Sequence, residues 1–484
     1  MLDQNLKRKT MNGMAWNTLE RFSIYGISLV FGIIFARILM PSDYGLIGML
    51  AIFFAFSDLF VNSGFSSALI QKKNRTEVDY STVFYFNVFV AIFFYTTLYF
   101  SAPLIGKFYK ISQLSTLTRV LSLTIIINSL SLVQQTRLKI NLDFKTQAFI
   151  SLVSVITSGS IGIFTAYRGF GVWALVVQSV TASIVKASLL FYFNRWMPLL
   201  IFSGPSFKQL FGFSSKVLGA GILSTFFNNI YSLVIGKAFP ANDLGYYTRG
   251  KQYPELISDL ITTVFQNVTF PVLSSLQDNK ENMIDTFRRL IRVVVFFNIF
   301  SMTLAAIMSG PFIRFLLTEK WAPAIPLMQL MCFARVLYPM SALNLTLLNS
   351  MGRSDLFLKM DAIKVPIALV LLVVTIPLGL KAIVIGHIIT SVVGFLLNTY
   401  YPGKFFGFGV IRQFKEMKLV VLATLIMSII VIGTMAILPS DFLKLLIGLP
   451  LGLIIYLFSS YILKIEEISE VFKIINSIFR KKVI

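Results

Sequence analysis

The sequence predicts an all-α polytopic membrane protein with about fourteen transmembrane helices. Of its 484 residues, 56% are hydrophobic and only 13% are charged. A soluble chain of this length needs long polar stretches to make a surface, and this chain has none. Its apolar runs are long enough to cross the roughly 30 Å hydrocarbon core of a bilayer.

The apolar runs divide the chain into two sets of six helices and a final pair. The predicted spans are 22–40, 44–70, 81–103, 114–136, 147–168, 171–193, 215–239, 245–273, 290–313, 325–350, 361–380, 382–401, 418–438 and 441–463. The predicted organisation is an N-terminal lobe (1–195), an inter-lobe linker (196–212), a C-terminal lobe (213–405), two extra helices (406–464) and an amphipathic tail (465–484). The spacing of apolar residues in that tail predicts a helix lying on an anionic membrane surface, or less readily one docking on a partner.

The basic residues support this count of spans. With the N-terminus in the cytoplasm, 29 of the 43 Lys and Arg residues fall in cytoplasmic loops, 10 in the opposite loops and four within spans. This bias is what the positive-inside rule requires, and it predicts that both termini are cytoplasmic. The net charge of +22 therefore reflects membrane topology rather than nucleic-acid binding.

A thirteen-residue motif occurs twice. The stretch "IFARILMPSDYGL" (34–46) aligns without gaps with "VIGKAFPANDLGY" (234–246), at an offset of 200 residues. In both copies a helix ends at a Gly/Pro/Asp-type turn and a second helix begins. Six spans separate the copies, so both have the same orientation, which predicts two lobes related by an axis along the membrane normal.

The sequence lacks the motifs that several classes of protein chemistry require. The sequence contains no GxxxxGK[ST] motif for nucleotide hydrolysis and no DxD pair for a metal ion. A single cysteine, Cys332, excludes an internal disulfide and a cysteine metal cluster. We therefore expect a protein that is not an enzyme, has no cofactor and moves a substrate across the membrane.

Charges inside the predicted spans are the candidate site residues. Each costs about 2.5–3.5 kcal/mol at a helix centre on insertion scales, so a group of them indicates a functional site. Lys251, Glu255 and Asp259 are spaced at i, i+4 and i+8, which places them on one helix face. The remaining candidates lie on other helices or close by: Arg21, Asp58, Lys186, Arg249 and Arg335.

These charges also have structural interpretations. Lys251 and Glu255 fit an intrahelical ion pair, Arg249 a solvated helix end, Arg335 a link between helices, and Lys186 a side chain that reaches the interface. In the functional interpretation, the cations line a wet cavity between the lobes. Arg and Lys outnumber the acids there, which suits an anionic cargo because arginine binds phosphate in a bidentate way.

Three quoted segments carry a resemblance to a known family. "LMPSDYGLIGML", "FSDLFVNSGFSSALIQKKN" and "DLGYYTRGKQYPELISDLITTVFQNVTFPVLSSLQ" resemble polysaccharide-transport proteins of the Wzx/WzxC type, within the multidrug/oligosaccharidyl-lipid/polysaccharide (MOP) exporter superfamily. The likeness covers roughly residues 10–400. It implies a flippase of the bacterial inner membrane that moves undecaprenyl-pyrophosphate-linked oligosaccharide to the outer leaflet by alternating access.

The resemblance also implies roles for the candidate residues. Arg21, Arg249 and Lys251 match the helices whose cations meet the pyrophosphate in that branch, and Lys186 and Arg335 are further cationic candidates. Candidates for coupling to H⁺ or Na⁺ are Asp58, Glu255 and Asp259. The expected partners are the lipid-linked oligosaccharide, membrane lipids and polysaccharide polymerase machinery.

Three other classes remain open on the sequence. A multidrug exporter of the same superfamily would use acids in its first lobe, where only Asp58 lies deep in a span. A membrane glycosyltransferase or polymerase would need a sizeable external loop, whereas the first external turn covers only about 40–45. A non-transporting scaffold would have no need of paired lobes.

Overall fold

The computed structural model describes residues 4–62 and 64–468, and within those ranges it contains helices but no β-strand. Numbered by membrane span, the helices are α1 Gln4–Ile38, α2a Pro41–Asn62, α2b Phe65–Gln71, α3 Glu77–Tyr109, α4a Gln113–Leu121, α4b Leu123–Ile140, α5 Phe144–Tyr167, α6 Val172–Asn194, α7 Gly204–Ala238, α8 Ala241–Ser275, α9 Lys280–Phe312, α10a Ala324–Val336, α10b Tyr338–Ser350, α11 Ser354–Thr375, α12 Leu380–Phe406, α13 Val410–Ile437 and α14 Asp441–Ile462. Short turns of helix at Ile313–Leu317, Glu319–Trp321 and Ile376–Leu378 connect some of them.

Among the described residues, fourteen helical segments are long and apolar enough to cross a membrane, so the predicted number and order of spans are confirmed. Several of the predicted spans are shorter than the helices in the structure. α3, α9 and α13 begin at Glu77, Lys280 and Val410, four to ten residues before the corresponding apolar runs. A helix of 33 residues is about 50 Å long, so it extends beyond the hydrocarbon core at its polar ends.

Three spans are interrupted, which the apolar pattern did not predict. Gly64 separates α2a from α2b with a φ of 71°, a left-handed conformation that glycine adopts without a Cβ clash. α4 is interrupted at Ser122, and α10 is interrupted at Leu337. Pro339 lies in the first turn of α10b, where its missing N–H has no helical acceptor to lose.

The two copies of the sequence repeat fold alike, down to single hydrogen bonds. In the first turn, Leu39 N–H donates to Phe35 O at 2.8 Å and Asp43 N–H donates to Met40 O at 3.0 Å. The second turn has the same two bonds 200 residues later, from Phe239 to Ile235 at 2.9 Å and from Asp243 to Pro240 at 3.0 Å. The predicted helix–turn–helix in each copy is confirmed.

The repeats also contact each other through matched glycines. A Cβ added at Gly45 would lie 1.8 Å from the carbonyl oxygen of Ala241. A Cβ added at Gly245 would lie 1.9 Å from the carbonyl oxygen of Pro41. The first turns of α2 and α8 therefore meet backbone to backbone, in a reciprocal contact that admits only glycine at both positions.

By its internal contacts the chain divides into two compact units, residues 1–245 and 246–484. In the second unit a large apolar core joins residues of α8, α9, α10b, α12, α13 and α14. The Tyr456 hydroxyl on α14 donates to Phe296 O on α9 at 2.7 Å, so the extra helices pack within this unit. The predicted lobe boundaries remain a prediction.

In the first unit, the segment between α6 and α7 is extended and fixed to the start of α3. The backbone N–H groups of Leu199 and Ser203 donate to the hydroxyls of Ser81 and Thr82, at 2.9 and 3.1 Å. The Trp196 indole donates to Glu77 Oε2 at 2.6 Å. An irregular segment thus satisfies its backbone polar groups with side chains of a neighbouring helix.

The C-terminal tail falls only partly in the described ranges. Ile465 and Ile468 are buried, and Arg292 on α9 pairs with Glu466 and Glu467 at 3.0 and 3.1 Å. Residues 469–484, which make up most of the predicted amphipathic helix, lie outside the described residues.

The glycine contact gives a first prediction. Gly45→Ala and Gly245→Ala should each destabilise the protein by about 1–3 kcal/mol, because a methyl group cannot fit against a backbone carbonyl without displacing a helix. Thermal unfolding of the purified protein in detergent measures this. The control is Gly26→Ala on α1, where an added Cβ meets nothing within 4 Å. Equal melting temperatures for all three variants would contradict the close contact.

Candidate functional site

Four of the predicted site residues form one ion-pair network in the second unit. The Arg335 guanidinium on α10a binds Glu255 through Nη2 and lies 3.5 Å from Asp259 Oδ1 through Nη1. Lys251 Nζ lies 3.5 Å from the Glu255 oxygen that Arg335 also contacts. The predicted intrahelical pair of Lys251 with Glu255 and the predicted link between helices by Arg335 are both confirmed.

The network lies at the interruption of α10. Asn298 on α9, which is 1% exposed, donates from Nδ2 to the carbonyls of Arg335 and Val336 at 3.1 and 2.7 Å. The Ser391 hydroxyl on α12 donates to Ala334 O at 2.7 Å. The carbonyls freed by the break therefore have donors on two neighbouring helices, and these bonds fix the backbone that carries Arg335.

Arg249 is buried on α8, two residues before Lys251 of the network. Its side chain is 6% exposed, and Nη1 donates to Gln252 Oε1 at 2.6 Å. Its guanidinium carbon lies 5.9 Å from the centre of the buried Trp321 ring. The alternative of a solvated helix end is therefore wrong for Arg249, because the protein encloses the side chain. Neighbouring Gly250 packs 3.1–3.2 Å from α10a, measured from where its Cβ would lie.

His387 on α12 lies in the same neighbourhood. It is within electrostatic range of both Arg335 and Lys251. Tyr338, the first residue of α10b, receives the Arg335 guanidinium over its ring at 4.6 Å. Helices α8, α10 and α12 thus place their polar residues in one region of the second unit.

The first unit contains a second cationic group around a cavity of 410 Å³. The lining residues come from α1, α2b, α4b and α5: Glu20, Arg21, Ile24, Ile70, Gln135, Lys139, Phe144 and Gln147. The Glu20 carboxylate is 6% exposed and accepts hydrogen bonds from Ser151 Oγ at 2.7 Å and from Gln147 Nε2 at 3.3 Å. Lys186 on α6 is within electrostatic range of Glu20 and Lys139.

Asp58 lies apart from these groups on α2a. It is exposed, and its backbone carbonyl accepts a hydrogen bond from Asn62 Nδ2 at 2.9 Å. An exposed carboxylate in an apolar helix needs water, a cation or a proton. Its proposed coupling role remains a prediction.

The structure thus brings together Lys251, Glu255, Asp259 and Arg335, with Arg249 two residues before Lys251. In the first unit Arg21 lines the cavity, and Lys186 lies within electrostatic range of its lining residues Glu20 and Lys139. Sequence reasoning missed Glu20 as a buried hydrogen-bond acceptor, Lys139 at a cavity and the break at Leu337. The "YP" dipeptide directly after the break was an available signal, because a proline disfavours helical geometry in the residue before it. Nothing in the sequence around Ser122 signals its break.

A family model described as "Polysaccharide biosynthesis protein" matches residues 34–326, which is more than half of the chain. The chain belongs to this family. The predicted resemblance to Wzx-type flippases of the MOP superfamily is thereby confirmed. The matched segment contains both copies of the repeat and most of the helices that carry the candidate residues.

Curated relatives of this family are similar over most of their length. The chain is 23% identical to the teichuronic acid biosynthesis protein TuaB of Bacillus subtilis, covering 89% of each chain. It is 23% identical to the lipopolysaccharide biosynthesis protein WzxC of Escherichia coli, covering 82% of this chain and 81% of the relative. It is 24% identical to the succinoglycan biosynthesis transport protein ExoT of Rhizobium meliloti, covering 70% and 68%.

Solved structures show the same fold. The lipid II flippase MurJ in an inward closed conformation matches with a TM-score of 0.76 at 16% identity, covering 92% of this chain and 98% of that one. An inward-facing multidrug resistance transporter of the MATE family matches with a TM-score of 0.60 at 16% identity, covering 77% and 93%. At this identity the likeness shows that the chain shares the fold of these two membrane proteins.

The hydrogen bonds from Asn298 to the backbone carbonyls of Arg335 and Val336 give a second prediction. Asn298→Ala should lower the free energy of unfolding by about 1–3 kcal/mol, because two buried carbonyls lose their donor. Thermal unfolding measures this, with Asn349→Ala as the control, since Asn349 is exposed on α10b. If the two variants unfold at the same temperature, Asn298 does not support the break.

Proposed function

We propose that this protein is a flippase for undecaprenyl-pyrophosphate-linked oligosaccharide, which it moves from the inner to the outer leaflet of a bacterial inner membrane by alternating access. The names of its relatives, which belong to teichuronic acid, lipopolysaccharide and succinoglycan biosynthesis, support this class of cargo. The cargo combines a long apolar tail, a doubly phosphorylated head and a polar sugar. A site for it must therefore hold an anion within apolar helices.

The observation that carries the proposal is the surplus of positive charge in each helical unit. In the second unit, Lys251 and Arg335 pair with two carboxylates, Glu255 and Asp259. A third cation, Arg249, lies two residues before Lys251 on the same helix, and its Nη1 donates to Gln252 Oε1. Charge is costly in a bilayer, so a group in which cations outnumber acids favours an anionic ligand.

The residues around the cavity of the first unit also carry more positive than negative charge. Arg21 and Lys139 line it, Lys186 lies within range, and Glu20 is the one acid among its lining residues. Both Glu20 oxygens already accept hydrogen bonds from neutral groups. In this proposal, the pyrophosphate binds Arg21 and Lys139, and Ile24, Ile70 and Phe144 contact the apolar part of the lipid.

The membrane potential would drive the return step in this scheme. Outward transfer of a head with about two negative charges gains about 2.3 kcal/mol per charge per 100 mV when the interior is negative. If cations of the protein neutralise the head, the loaded step loses this gain. The empty protein, which keeps its positive charges, is then drawn back toward the inward-facing state.

Coupling ions and partners complete the proposal. Asp58, Glu255 or Asp259 would carry H⁺ or Na⁺ if an ion gradient contributes to the cycle. No cofactor and no chemical reaction are involved, so the protein is not an enzyme. Both termini would lie in the cytoplasm, and the flipped lipid would pass to polysaccharide polymerase machinery.

Neutralising the α8 cations tests the proposed site. The double variant Arg249→Gln, Lys251→Gln should reduce binding of a short-chain polyprenyl pyrophosphate by at least tenfold, because two positive charges near the head are lost. Binding to purified protein in nanodiscs measures this, with unfolding temperatures recorded alongside. Undiminished binding by the folded variant would reject these two residues as ligands.

Transport in vesicles tests the driving force. An imposed potential, negative on the side that supplies cargo, should accelerate steady-state flipping, because it returns the empty cationic protein. Collapsing or reversing the potential should slow flipping. A rate that does not respond to the potential would rule out this scheme while leaving the substrate assignment intact.

A further inference from the structure

The carboxylates of α8 occupy the positions at which the cations would otherwise bind an anion. Arg335 directs Nη2 to Glu255 and Nη1 to Asp259, and Lys251 directs its ammonium to the same Glu255 oxygen. Glu255 therefore bridges two cations from two different helices. A phosphate oxygen satisfies the same donors, because guanidinium and ammonium groups bind carboxylate and phosphate in similar geometry.

We propose that the Glu255 carboxylate competes with the anionic head of the cargo for Arg335 and Lys251, an inference that rests on the proposed function. In the empty protein its carboxylate holds Arg335 and Lys251 in place. Cargo binding displaces it, and a phosphate group takes over both cations. Glu255 thus sets the affinity for the cargo and restores the network when the cargo leaves.

The surroundings of the network allow such an exchange. The Glu255 side chain is 22% exposed and the Asp259 side chain is 56% exposed, whereas the Arg335 side chain is 13% exposed. The carboxylates are thus more exposed than Arg335, and Asn298 and Ser391 hold the backbone of α10a by donating to the carbonyls of Arg335, Val336 and Ala334. The Glu255 carboxylate can leave toward its exposed side while the backbone that carries Arg335 remains fixed.

The exchange also avoids two electrostatic costs. Without Glu255, Arg335 would keep only the longer contact to Asp259 at 3.5 Å and Lys251 would lose its ion-pair partner in the empty protein, a state that is costly among apolar helices. Without a competitor, the same cations would hold the phosphate so tightly that release would be slow. The other charged or titratable groups facing this region are Arg249, Tyr253, Tyr338 and His387.

The test measures how Glu255→Gln changes affinity for a short-chain polyprenyl pyrophosphate, using the purified full-length protein in nanodiscs. The variant removes the competing charge and keeps the shape, so we expect binding about tenfold tighter than in the unchanged protein. Arg335→Gln should weaken binding. In the Arg335→Gln background, Glu255→Gln should tighten binding less than in the unchanged protein, because one of the two cations for which Glu255 competes is gone and Lys251 alone remains.

Two controls separate competition from a structural role. Glu467→Gln removes another buried carboxylate that pairs with an arginine of this unit, Arg292 at 3.1 Å, and should leave affinity unchanged. A polyprenol without phosphates reports binding of the tail alone and should not distinguish the variants. If Glu255→Gln unfolds, Glu255→Asp tests the same point, because its shorter side chain withdraws the carboxylate from Arg335 and should also tighten binding.

The outcomes distinguish this inference from the proposed function. If the unchanged protein binds the pyrophosphate and the Glu255 variants bind it equally or more weakly, Glu255 is a structural ion-pair partner and the inference is wrong, while the proposed function stands. If neither the unchanged protein nor any variant binds the pyrophosphate better than the polyprenol, the proposed function fails and the inference fails with it.

Discussion

The cost of placing charges among apolar helices governs this structure. A charged side chain in a membrane span must find an opposite charge, hydrogen-bond partners or water, because hydrocarbon provides none of them. Arg335 finds two carboxylates, Glu20 finds a hydroxyl and an amide, and Arg249 finds an amide beside a buried tryptophan. Each of these charged side chains is thus stabilised by a different set of neighbouring groups. In the proposed function, an anionic cargo binds the cations of these groups.

The interruption of α10 lies beside the ion-pair network. The break at Leu337 removes helical hydrogen bonds next to Arg335, and side chains from α9 and α12 replace them. Discontinuous helices commonly form the substrate and ion sites of transporters, because their free backbone groups and mobile side chains can exchange partners. The matched turns of the repeat differ from this break because they leave no space for rearrangement. At Gly45 and Gly245 the starts of two helices pack backbone against backbone, so a side chain does not fit between them.

The sequence was sufficient to predict features that depend on local pattern. Apolar length predicted fourteen spans, the 200-residue repeat predicted two equivalent turns, and helical spacing predicted the pair of Lys251 with Glu255. The contact between Glu255 and Arg335 joins residues 80 positions apart, and no local rule gives such a pairing. The bonds of Glu20 with Gln147 and Ser151 span more than 120 residues and were missed for the same reason.

The most direct measurement is an experimental structure of the protein in a lipid nanodisc with a short-chain polyprenyl pyrophosphate bound. The account predicts phosphate density within hydrogen-bonding distance of Arg335 and Lys251, with the Glu255 side chain turned away from both. A pyrophosphate located far from these cations, with the Glu255–Arg335 pair still intact, would contradict it.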